Sequence, residues 1–177
     1  MRGRQRREEA AMAVIQEVAV TEEQVWSALE DVKDPEIPMV SVVELGIVQK
    51  IEVETEGVRV TITPTFSGCP AMDVMRQGIA DRVRALDVED VEVIISLTPR
   101  WTSDRIAASA RERMKTIGLA PPAKHGGELD LELLPLVRCP YCGSSDTVTE
   151  NPFGPTLCRA LHYCNSCQQP FEQFKGL

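Results

Sequence analysis

The chain has 177 residues, 43% of them hydrophobic and 26% charged, and a formal net charge of -8. That length suits one ordinary domain plus a small metal-stapled module, and the balance of residues excludes wholesale disorder. The negative charge argues against a nucleic-acid binder that works by neutralising phosphates, and no apolar run approaches the ~20 residues of a membrane span.

Residues 1–20 are expected to be a flexible tail. The basic cluster Arg2, Arg4, Arg6 and Arg7 is followed by an apolar stretch broken by Glu8, Glu9, Gln16 and Glu17, which is not the apolar core of a secretory signal. Thr21 then suits a helix N-cap, with Gln24 three residues on as a capping box requires. Val25, Trp26, Leu29 and Val32 recur at helical spacing, and Asp34-Pro35 stops the helix. Two prolines make residues 34–41 a loop. A hairpin follows: Ile47, Ile51 and Val53 share a face opposite Lys50, Glu52 and Glu54, the turn falls at Glu56-Gly57, and Val58, Val60 and Ile62 return. Pro70 suits the first position of a second helix, whose buried face is Met72, Met75, Ile79, Val83 and Leu86. A third strand carries Val91, Val93, Ile95 and Leu97. A last helix starts near Ser103 or Asp104, turns Ile106, Ala110, Met114 and Ile117 to the core, and stops at Gly118.

The fold class is therefore α+β: a small three-strand sheet packed with helices over residues 21–118. Pro121-Pro122 and Gly126-Gly127 place a linker at 119–134, and a four-cysteine ribbon occupies 135–177.

Four of the six cysteines form two Cys-x-x-Cys pairs, Cys139/Cys142 and Cys164/Cys167, separated by 21 residues. Knuckles of this kind supply four thiolates to one tetrahedral ion. Zinc suits the set, iron in a rubredoxin-like site is the rival, and two unrelated thiol pairs are disfavoured by the spacing. With no signal peptide, the pairs point to a reducing cytoplasm rather than to disulfides. Cys158, between the knuckles, is expected to be a small buried apolar residue, and His162 a packing or surface residue.

Cys69 stands apart. It precedes Pro70 at the expected start of a helix, where free amides and the helix dipole make a thiol easier to ionise. Position alone leaves a functional thiol and a structural cysteine equally open, and Gly68 favours function. Asp34 alone is a turn signal; Glu36 and Glu44 are expected on the surface. With two histidines, no Ser/His/Asp set and no glycine-rich phosphate loop, a hydrolase or nucleotide enzyme has nothing to work with.

Residues 34–48, DPEIPMVSVVELGIV, and 63–75, TPTFSGCPAMDVM, resemble the SufT-like iron–sulfur assembly domain, as does Trp101-Thr102. Residues 139–175, with FGPTLCRALHYC and PFEQFK, resemble the ribbon of the PaaD family of phenylacetyl-CoA epoxidase components. The resemblance implies an accessory, non-catalytic component of bacterial phenylacetate degradation, in a system of diiron oxygenase and iron–sulfur flavin reductase. It would assist delivery of an iron–sulfur cluster or iron to the reductase or oxygenase, holding that cargo transiently. By the same resemblance Cys69 would be the transfer ligand with Asp34 beside it, and a homodimer would bring two Cys69 residues together. Two other functions stay open: a structural component that docks without handling a cluster, and a thiol redox enzyme, which metal ligation of the pairs disfavours.

Overall fold

The computed structural model describes residues 20–66, 68–124 and 137–175. The expected tail up to residue 19 and linker residues 125–134 lie outside the described residues.

Helix α1 (Glu22–Leu29) starts as expected: the Gln24 amide donates to Thr21 Oγ1 at 3.3 Å and the Thr21 amide donates to Gln24 Oε1 at 2.8 Å. It ends at Leu29, five residues before Asp34. The hairpin consists of β1 (Val48–Val53) and β2 (Gly57–Ile62). Val58, Val60 and Ile62 are buried as the alternation requires. In β1 a register shift between Val48 and Lys50 breaks the alternation, so Val48 and Ile51 face the core while Val53 is exposed.

Helix α2 (Met72–Arg84) buries Met72, Met75, Ile79 and Val83 and crosses over to β3 (Asp90–Ile95), which pairs parallel with β2. Strand order is β1-β2-β3, which leaves β3 at the edge. There Val91 and Val93 are half-buried, whereas Ile95 and Leu97, expected to share their face, are 44% and 60% exposed. The last helix is shorter than its pattern: a 3-10 turn at Ser103–Arg105 precedes α3 (Ala108–Thr116). Ile106, Ala110 and Met114 are buried, and Ile117 is exposed.

Leu119 and Ala120, expected in the linker, form strand β4 and pair parallel with β7 (Gln169–Phe174). The ribbon sheet therefore runs β4-β7-β6-β5, with β5 spanning Thr147–Asn151 and β6 spanning Arg159–Cys164. Phe174 leaves the ribbon for the core of the larger domain, edge-on to Trp101 with ring centroids 6.1 Å apart. Trp101 Nε1 donates to the Leu45 carbonyl at 2.9 Å. Gly118, at φ +75°, turns α3 into β4, and a Cβ there would collide with the Tyr141 hydroxyl oxygen. Only a glycine allows both that backbone and that contact.

Among the described residues no helix is long and apolar enough to cross a membrane.

Gly118→Ala should therefore cost about 1–3 kcal/mol, from strained backbone plus displacement of Tyr141. Thermal unfolding of the metal-loaded variant checks this, and an unchanged midpoint would contradict the packing described.

Candidate functional site

The two knuckles are near copies of each other. Gly143 N donates to Cys139 O and Gln168 N to Cys164 O, each at 2.9 Å. Each donor follows the second cysteine of its pair, and each is left-handed, Gly143 at φ +75° and Gln168 at φ +56°. At the first turn the residue is glycine, the type that a left-handed backbone favours. Gln168 hides the second, because a left-handed glutamine carries no signal in composition.

The folded turns bring the four thiol sulfurs within 4.8 Å of one another, with Cys139–Cys167 and Cys142–Cys164 both at 3.6 Å. Four sulfurs about 2.3 Å from a central zinc stand ~3.8 Å apart on a tetrahedron, so the set fits one such ion. Cys139 and Cys164 lie in a small core with Ala120 and Phe171. His162 is buried, stacked on Phe171, and hydrogen-bonded through Nδ1 to Thr149 Oγ1 and through Nε2 to Gln173 Oε1. It is a packing residue.

The Asp-Pro-Glu loop is built by Asp34. Its buried carboxylate accepts from the amides of Glu36 at 2.8 Å and Ile37 at 2.9 Å, and its own amide donates to the Val40 carbonyl at 3.0 Å. Burial pushes the Asp34 carboxyl up against those two amides; Glu36 adds to the rise and Arg159 opposes it. Glu44 is not a loose surface carboxylate: it accepts from Arg113, Ser109 Oγ and the Ser41 amide. Burial opposes its ionisation, but those partners hold it below the usual range.

Cys69 sits half-buried in a turn before α2, its amide donating to the Phe66 carbonyl at 3.1 Å. Helix α2 begins at Met72 rather than at Pro70, and the Cys69 thiol is harder to ionise than a free one, against expectation. Burial is the main cause. The amides of Ala71 and Met72 favour the thiolate, but the charges of Asp34 and Glu36 add to the burial cost. The structure thus brings Cys69 and Asp34 into one electrostatic neighbourhood.

The ribbon reaches the same neighbourhood. Thr156 Oγ1 donates to Glu36 Oε2 at 3.1 Å, Cys158 Sγ donates to the same oxygen at 3.6 Å, and Arg159 Nη2 donates to the Glu36 carbonyl at 2.7 Å. Glu36 is therefore an interdomain residue, not a surface one, and Cys158 is half-buried with polar partners. The sequence held both residues inside recognisable motifs, but not the fact that they meet.

The molecule thus joins a thiol-bearing loop on a three-strand α+β domain to a four-thiol ribbon. Residues 22–95 match the family of iron–sulfur cluster assembly proteins, and residues 128–175 match the PaaD zinc beta ribbon domain. The chain is 39% identical over 152 residues to the D component of the putative 1,2-phenylacetyl-CoA epoxidase of Escherichia coli, covering 86% of this chain and 91% of that protein. It is 35% identical over 92 residues to an Fe-S protein maturation auxiliary factor of Porphyromonas gingivalis, covering 51% and 87%. It is likewise 35% identical over 94 residues to the Fe-S protein maturation auxiliary factor YitW of Bacillus subtilis, covering 50% and 88%. The chain belongs to the PaaD family of phenylacetyl-CoA epoxidase components, as its motifs indicated.

Two outcomes follow from this geometry. Stripping the ribbon metal with a chelator should leave the larger domain's helical signal but shift Trp101 fluorescence to the red, because Phe174 covers that ring; an unmoved spectrum would mean the ribbon folds without its ion. Second, iodoacetamide should label Cys69 more slowly near pH 8 than it labels a free cysteine. The raised thiol keeps its proton to higher pH, and Glu36→Gln, by removing a nearby negative charge, should move the labelling curve to lower pH; peptide-level mass spectrometry reads both.

Proposed function

We propose that the protein is an accessory factor of a phenylacetyl-CoA epoxidase system in phenylacetate degradation, assisting delivery of an iron–sulfur cluster or iron to a partner protein. The reductase is the client we favour, because by resemblance it is the component that needs a cluster. Cys69 carries this reading: a half-buried thiol near the helix-entry amides of Ala71 and Met72, on a turn closed by its own amide on the Phe66 carbonyl, in a domain to which maturation-factor relatives align. Thiolates are the protein's ligands of choice for iron–sulfur cargo. Nearby carboxylates raise the cost of an empty thiolate, and a bound cation removes that cost. A site of this kind favours metal over bare thiolate, which suits transfer.

The ribbon carries zinc in this reading. Its thiolate-only donor set and its family match support a closed structural site rather than a catalytic one with an open position. Asp34 is a positioning residue, since its Oδ1 is committed to two backbone amides.

Cys69→Ser, shown to be folded and to retain ribbon metal, should lower the cluster content of the co-expressed reductase several-fold. Full loading of the reductase by this variant would remove the transfer role and leave a structural accessory component.

A further inference from the structure

We propose that the protein self-associates through the free edge of β3, which pairs antiparallel with β3 of a second copy across a two-fold axis at Ile95. This goes beyond the delivery reading and does not depend on it.

The order β1-β2-β3 leaves this sheet two edges, and they are built differently. β1 carries a register shift between Val48 and Lys50 and the charges of Lys50 and Glu52, which are devices against strand addition. β3 runs beside β2 from Asp90 to Ile95 without a shift. Residues 93–97 of this edge include no charge and no proline, and Ile94, Ile95 and Leu97 are 37%, 44% and 60% exposed.

The backbone fixes which residues can meet. The Ser96 amide donates to the Ile62 carbonyl at 2.8 Å, so Ser96 and, by alternation, Ile94 turn their polar backbone groups to β2. Val93 and Ile95 therefore turn theirs to the free edge. A two-fold axis at Ile95 makes a closely spaced hydrogen-bonded pair of the two Ile95 residues and sets Val93 of each copy against Leu97 of the other. Those apolar side chains then share one face of the joined sheet.

Charge favours the same register. Glu89 and Asp90 stand exposed at the start of β3, Arg100 stands exposed beyond its end, and none of the three forms an ion pair among the described residues. Asp90 and Arg100 lie equally far along the chain from Ile95, on opposite sides. Antiparallel pairing about Ile95 brings each Arg100 toward Asp90 and Glu89 of the other copy and carries the acids of the two copies apart. A parallel pairing would stack acid on acid. This symmetry about one residue is what a second copy needs and what no other partner requires.

The test uses the full-length, zinc-loaded chain. Sedimentation velocity should show a concentration-dependent dimer, and hydrogen exchange at the Val93 and Ile95 amides should slow as concentration rises. Ile95→Lys, checked for retained zinc and unchanged circular dichroism, should weaken dimerisation roughly tenfold or more. Asp90→Lys and Arg100→Glu should each weaken it several-fold, and the double variant should regain it; these exposed positions decide the matter if Ile95→Lys misfolds. A chain that stays monomeric at its highest soluble concentration overturns the proposal, as does a dimer indifferent to these variants. Slow exchange in β3 that is independent of concentration would mean that the chain's own N-terminal residues cover the edge. Slow exchange only on adding a purified reductase or oxygenase component would mean that a client strand does. Either result also overturns the proposal.

Discussion

The parallel pairing of Leu119 and Ala120 with Glu172 and Gln173 decides where the ribbon sits. A two-residue strand is weak alone, but its surroundings leave it no alternative. Gly118 turns the chain out of α3 under the Tyr141 ring. Buried Arg111 donates to the carbonyls of Ile106, Ser103 and Pro122, tying the start of α3 to the chain just beyond β4. At the same end of β7, the next residue, Phe174, fills the core beside Trp101. The two domains thus share a sheet edge and an aromatic contact, and the ribbon is no pendant on a linker. Its β5–β6 turn is carried onto the Asp-Pro-Glu loop as a consequence.

At that junction electrostatics and burial oppose each other. Asp34 is buried to hold a turn; burial chiefly raises the Cys69 thiol, and the charge of Asp34 adds to the rise. Glu36 acts likewise on Cys69 and Cys158, while Arg159 favours the ionised forms of Asp34 and Cys158. A helix entry that would ordinarily activate a cysteine is here outweighed by desolvation and carboxylate charge. The same carboxylates become favourable once a cation enters. The arrangement keeps the Cys69 thiol protonated to higher pH than a free cysteine.

Much of this was legible in the sequence because local rules decide it. The Thr21–Gln24 cap, the Val58/Val60/Ile62 face, the glycine stop at Gly118 and the four ligand cysteines each depend on near neighbours in the chain. What failed depends on tertiary context. The β1 bulge shifts the buried set from an alternating one to Val48 and Ile51, and no residue there announces it. Ile95 and Leu97 look like core by pattern but extend along an uncovered edge. Glu36 and Arg159 are 123 residues apart, so their contact has no signature in either motif. Helix periodicity overran α1 and α3 because propensity does not see where packing ends.

The same join makes the ribbon's ion matter beyond the ribbon. The described ribbon has a core of its own made of little more than Ala120, Cys139, Cys164 and Phe171, two of which are ligands. So small a core does not order a chain segment without metal. The turn carrying Thr156, Cys158 and Arg159 is anchored at one end through β6, which ends in the ligand Cys164, and at the other through Glu36. Ordering of the turn that meets Glu36 is therefore linked to metal occupancy at the knuckles. A four-thiolate site can thus order a turn that it does not touch, through the strand that joins them.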